Sequence, residues 1–115
     1  MSKELKQIIN EEPDISKLNL RYKKVSGPIS SLSTLTNLTK LDLGVTQVDG
    51  DISSLSTLTN LTELALDVTK VSGRIEHSQG LESLTELNLN NTQVDGDISS
   101  LSTLTKLTRL ILFKT

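Results

Sequence analysis

The sequence holds no cysteine and no tryptophan, and its aromatic residues are Tyr22 and Phe113 alone. Without cysteine there is neither a disulfide framework nor a thiolate metal site. Two aromatic rings are too few for a platform on which nucleic-acid bases stack. Neither sign of charge prevails: Lys and Arg number 12, Asp and Glu 14, for a formal net charge of -2. That balance gives no general attraction to nucleic acid or anionic lipid, so neither nucleic acid nor a membrane is expected as a partner. No apolar run approaches the length of a membrane span, and the opening MSKELKQIIN is not a secretory leader. The expected location is cytoplasmic. Phosphate-cradling loops, nucleophile elbows and zinc-ligand spacings are also missing.

What is present is a repeat. The stretch LTKLDLGVTQVDGDISSLSTLTN, residues 38–60, returns altered at 61–83 and 84–106. Residues 15–37 are a diverged first copy, and 107–115 open a fifth. The period is twenty-three residues without slippage. One turn of such a chain cannot bury its own apolar residues, so each turn hides them against the next. The apolar residues accordingly fall into columns. Three run through the opening strand: Ile15, Leu38, Leu61, Leu84, Leu107; then Leu18, Leu41, Leu64, Leu87, Leu110; then Leu20, Leu43, Leu66, Leu89, Leu112. Val25, Val48, Val71, Val94 and Ile29, Ile52, Ile75, Ile98 follow, and two leucine columns close the turn. Their one polar member is Ser78, in the third turn, where His77-Ser78-Gln79-Gly80 replaces Ser-Leu-Ser-Thr. The convex wall is expected to be reshaped or weaker there, through drift or as a partner-specific bulge.

The pattern LTxLxLxxTxVxGxISxLxxLTx resembles the leucine-rich-repeat family, whose repeat opens L-x-x-L-x-L, and the match runs from Ile15 onward. It is similar to the bacterial internalin type, with its D-I-S-x-L-x-x-L-T run, but has one extra residue per turn, a glycine before Asp51 and Asp97. The family's usual asparagine is replaced by Thr46, Thr69 and Thr92, whose hydroxyls offer one donor and an acceptor oxygen. The resemblance implies an α/β solenoid: an arc with a short parallel sheet on its concave face, short helical or 3₁₀ segments on its convex face, and an N-terminal capping helix. It implies two units, the cap at 1–14 and the repeats at 15–115. It also implies a non-enzymatic module that binds a protein partner through the concave face, with no cofactor and no metal.

Along the chain, residues 1–12 read as an amphipathic helix, N-capped by Ser2 and stopped by Pro13. Its Leu5, Ile8 and Ile9 share one face and are expected to lie over Ile15, Leu18 and Leu20. A membrane or partner helix is the lesser alternative, given three apolar residues and mixed charge. Each repeat then opens with a strand such as Lys40-Leu41-Asp42-Leu43 and turns at V-x-G. Gly27, Gly50, Gly73 and Gly96 are expected there in a conformation that a side chain obstructs. The run ISSLSTLT returns as a short 3₁₀ segment.

Outward strand positions supply the candidate binding residues: Lys17, Asn19, Arg21, Tyr22, Lys40, Asp42, Glu63, Asp67, Glu86, Asn88 and Asn90. They read as basic in the first turn, acidic in the middle and amide-rich in the fourth, a pattern suited to setting register and on-rate with a charged partner. Leu107, Arg109, Leu110, Ile111, Leu112 and Phe113 open a turn with no convex return. An uncovered edge of this kind predicts a homodimer joined there, a structural scaffold; the alternative is a fragment or a repeat-designed chain. Asp49-Gly50-Asp51 and Asp95-Gly96-Asp97 look like calcium ligands, but no acidic residue follows at EF-hand spacing. The sequons at Asn37, Asn60 and Asn90 arise mainly from the repeat. Glu63 with Glu86, and Asp42 with Asp67, are carboxylate pairs without a nucleophile, so catalysis is not expected.

Overall fold

The computed structural model describes residues 3–11 and 14–112. Ser2, Pro13 and Phe113, expected as helix cap, helix stop and edge contact, lie outside them. The chain opens with strand β1 (Lys3–Glu4) and helix α1 (Leu5–Glu11). Pairs of strands follow, one pair per turn: β2 (Lys17–Asn19) and β3 (Val25–Pro28), β4 (Lys40–Asp42) and β5 (Gln47–Asp51), β6 (Glu63–Ala65) and β7 (Lys70–Arg74), β8 (Glu86–Asn88) and β9 (Gln93–Asp95). A last strand, β10 (Arg109–Ile111), opens the fifth turn. They form two parallel five-stranded sheets, β2-β4-β6-β8-β10 and β1-β3-β5-β7-β9. Four 3₁₀ segments, Ile29–Leu32, Ile52–Leu55, Ile75–Ser78 and Ile98–Thr103, make the convex return.

The first sheet keeps the register of the repeat: Leu18, Leu41, Leu64, Leu87 and Leu110 are successive partners. This alternation sends those leucines inward and their neighbours out. The second sheet stands where a turn was expected. Its register is staggered, so that Gly27, Gly50 and Gly73 pair with Val48, Val71 and Val94 of the following turn. These three glycines have φ between 105° and 109°, the left-handed region open to a residue without Cβ, and so keep the strand hydrogen-bonded through the kink.

Most of the columns form one buried cluster. The exceptions are end effects: Ile15 and Leu20 in the first turn and Leu107, Leu110 and Leu112 in the last are half-buried, and Ile98 is 55% exposed. Polar groups inside are satisfied locally. The hydroxyls of Thr46, Thr69 and Thr92 donate to the carbonyls of Leu43, Leu66 and Leu89 at 2.7, 2.6 and 2.9 Å. Those of Thr39, Thr62, Thr85 and Thr108 donate to the carbonyl one repeat earlier. Ser78 is buried in its leucine column and donates to the Ile75 carbonyl at 2.6 Å. The 3₁₀ turn there keeps the repeat positions of its siblings, so the backbone of the convex wall is not reshaped.

The N-terminal cap differs from expectation. The Lys3 backbone N–H donates to the Lys24 carbonyl at 2.7 Å, and Lys3–Glu4 becomes the edge strand of the second sheet before a seven-residue helix begins. Leu5 and Ile9 are buried, with α1 packed on β3 and on the 3₁₀ segment at Ile29–Leu32. Ile8 is half-buried and lines, with Ile9, Ile15, Leu18 and Leu20, a hollow at this end of the stack.

Asp51 and Asp97 cap 3₁₀ segments: each accepts the N–H of Ser53 or Ser99 at 2.9 Å, which holds both carboxyls below the usual aspartate range. Among the described residues, no group of three or more His, Asp or Glu is placed to hold a metal ion. Among them, too, no helix is long and apolar enough to cross a membrane.

Candidate functional site

The concave face is the outer side of β2, β4, β6, β8 and β10. Its columns are in register as the repeat requires: Lys17, Lys40, Glu63, Glu86, Arg109, then Asn19, Asp42, Ala65, Asn88, Ile111. Ala65 is the smallest of these residues, and a hollow opens over it between Asp42, Glu63, Glu86 and Asn88.

The charge segregation expected along this face is largely cancelled within it. Arg21 leaves the first turn and reaches across two others. Its Nη1 donates to Asp42 Oδ1 at 3.0 Å and to Asp67 Oδ1 at 2.9 Å, and its Nη2 donates to Asp67 Oδ2 at 2.6 Å. Gly44 makes room for this fork: a Cβ there would collide with Arg21 Nη1 and lie 2.7 Å from Asp67 Oδ1. The hydrogen bond to Asp67 raises the Arg21 pKa further above its ordinary value, so the guanidinium is charged at every accessible pH. Asp67 is buried, so it belongs to the scaffold and presents little of itself to a partner. Lys40 pairs with Glu63 at 3.0 Å. Among the described residues, Lys17, Glu86 and Arg109 form no ion pair.

Three more candidates shape the turns after the strands. The side-chain oxygens of Asn19, Asp42 and Asn88 accept the N–H two residues on, from Arg21, Gly44 and Asn90, at 3.0, 2.9 and 3.0 Å. This is ordinary Asx-turn chemistry, and it was readable from the residue types.

One column escaped sequence reasoning in part. Tyr22, Val45, Val68 and Asn91 all have positive φ, at 64°, 53°, 54° and 56°. Asparagine tolerates that region, whereas for other L-residues it costs roughly 1–2 kcal/mol each. The stack imposes it: the N–H groups of Tyr22, Val45 and Val68 donate to the carbonyls of Gly44, Asp67 and Asn90 in the next turn at 3.1, 2.8 and 2.9 Å. Tyr22 is 73% exposed and Val68 39%, and the Arg21 guanidinium lies 5.5 Å from the Tyr22 ring centroid. Only Tyr22 was among the expected binding residues.

At the far end, Leu107, Leu110, Ile111 and Leu112 are half-buried and Arg109 is exposed. An apolar hollow lies there between Ile75, Leu89, Val94, Ile98 and Leu112.

No protein-family model matches the chain, and no curated protein matches its sequence. Solved structures do match. Internalin C2 of Listeria monocytogenes is 36% identical with a TM-score of 0.70, over 83% of this chain and 40% of that one. A plant peptide hormone receptor, RGFR1 in complex with RGF2, is 31% identical with a TM-score of 0.77, over 86% of this chain and 16% of that one. The leucine-rich-repeat ectodomain of the receptor kinase SOBIR1 from Arabidopsis thaliana has a TM-score of 0.84 over 98% of this chain and 62% of that one; at 22% identity it shows the fold alone. The chain thus spans about two fifths of the length of the internalin and less than a fifth of the hormone receptor.

Proposed function

The chain belongs to the leucine-rich-repeat proteins, and we propose that it is a non-enzymatic module that binds a protein partner through its concave face. The family consists typically of binding modules, and similar structures include a peptide hormone receptor solved with RGF2. The observation that carries the reading is the contrast between columns. Inward positions are nearly uniform from turn to turn, whereas outward positions change character along the stack and leave Lys17, Glu86 and Arg109 without an ion-pair partner among the described residues. Charges left free in this way are available to set register with a partner. Glu86, with Asn88 and Asn90 beside it, is the centre of the proposed surface, and Lys17 is its basic end. Peptides selected from a displayed library against the immobilised chain should lose roughly tenfold in affinity on Glu86→Lys. The melting temperature should hardly move, because that side chain makes no ion pair. Selected peptides that bind Glu86→Lys and Lys17→Glu variants as tightly as the parent would place binding elsewhere. Asp67 is unsuitable for this test, since a lysine there would face Arg21 in a buried site.

A second reading, self-association, is favoured by the exposure of Ile98 beside the apolar hollow of the last turn. At the opposite end β1 and α1 cover β3 and the first 3₁₀ segment, while β2 remains an edge strand of the concave sheet. The arrangement that closes on itself is two-fold, with β10 of two copies side by side. Light scattering during size-exclusion chromatography should then give a dimer mass that falls to monomer on Ile98→Asp with Leu112→Lys. A monomer at all concentrations of the parent rejects this reading.

A further inference from the structure

We infer that Tyr22, Val45 and Val68 form a docking ridge along one border of the concave face, and that its partner is an acidic peptide segment carrying aliphatic side chains. This rests on the reading of the chain as a binding module and adds the place and the chemistry of the partner. The first observation is conformational. The fourth turn shows that Asn91 meets the demand of a left-handed backbone with the residue type suited to it, while three turns place a tyrosine and two valines there. β-Branched residues are the least suited to that region, and strain of this kind persists where the surface it creates is used. The result is a line of apolar side chains, one per turn and roughly 4.8 Å apart, at the border of a polar face.

The second observation is charge. Residues 15–24 contain four basic residues and no acidic one. Of the four, Arg21 is held by Asp42 and Asp67 and offsets one of their two negative charges. Lys17, Lys23 and Lys24 are exposed and form no ion pair among the described residues. The ridge therefore runs from a basic end at Tyr22 to an amide end at Asn90 and Asn91. An acidic segment matches it, with aliphatic groups on Val45 and Val68 and carboxylates on the lysines, whereas a basic one is repelled at the Tyr22 end.

The test uses three fluorescein-labelled synthetic peptides read by anisotropy: alternating Leu and Asp, alternating Leu and Lys, and alternating Ser and Asp. The Leu–Asp peptide should bind most tightly and weaken with added salt. Lys23→Glu with Lys24→Glu should reduce its affinity roughly tenfold. Val45→Asn with Val68→Asn should reduce it comparably and yet raise the melting temperature by about 2–5 °C, since asparagine relieves the backbone. A lower melting temperature would mean that the valines serve the fold, and unchanged binding by that variant would remove the ridge; either result overturns the inference. Binding lost on Glu86→Lys but kept by the valine variant rejects the ridge and leaves the concave reading standing. Preference for the Leu–Lys peptide, or binding of none of the three, rejects the acidic partner, while library-selected peptides still decide the concave reading separately.

Discussion

Arg21→Ala is expected to lower the free energy of unfolding by about 2–4 kcal/mol, far more than an exposed ion pair would account for. Asp67 sits with its side chain only 7% accessible, and Arg21 supplies both of its charged contacts. Removing the guanidinium leaves a buried carboxylate with no cation and a second, Asp42, beside it, which is the costly way to break an ion pair. Arg21 itself is 30% accessible, so solvent relieves part of the loss, and the estimate sits below the full buried value. Arg21→Lys should recover only part of the stability, because one ammonium cannot reproduce the fork to Asp67. Gly44→Ala supplies the cross-check: its Cβ would enter the space of Arg21 Nη1, so it should cost stability in the parent and less when Arg21 is already alanine, where only the approach to Asp67 Oδ1 remains. Urea midpoints with unchanged slope measure all four variants. A loss below about 0.5 kcal/mol for Arg21→Ala would reduce the cluster to surface decoration.

The same cluster shows where sequence reading stops. The repeat was enough to place Lys40 beside Glu63, because a twenty-three-residue period fixes which residues are neighbours across one strand gap. It was not enough to place Arg21 against Asp67, which is two turns away. That contact depends on a long side chain lying over Gly44, and a glycine in an outward column reads as nothing more than a gap. The second sheet was missed for a related reason. Its glycines announce positive φ, which in a sequence means a turn; here they kink a strand whose hydrogen bonds continue because the neighbouring turn makes the same kink. The valines at positive φ carried no signal at all, since valine is the residue that pattern least suggests for that conformation. Buried columns were legible because identity there is nearly forced, whereas outward columns are free to vary and their pairing is settled by side-chain reach.

Truncating the second leucine column one residue at a time should give a profile rather than a constant. Leu41, Leu64 and Leu87 are buried with a leucine on either side in register, whereas Leu110 has Leu87 on one side only and is half-buried. Replacing any of the first three with alanine should cost about 3–5 kcal/mol, the transfer term plus a cavity that rigid turns on both sides cannot close. Replacing Leu110 should cost about 1 kcal/mol, since less area is lost and the missing side of the site is already open. In a stack where each turn contacts only its neighbours, a central truncation also weakens two interfaces. Against a total stability of about 5–15 kcal/mol, Leu64→Ala removes a large share and should broaden the unfolding transition as the halves uncouple. The profile also reports on the open end. If a second copy covers β10, Leu110→Ala should cost more as protein concentration rises, because binding adds stability by mass action. A cost at Leu110 that is small and independent of concentration means the end is bare in solution, and equal costs in all four turns would mean that the half-buried last turn is as well covered as the middle.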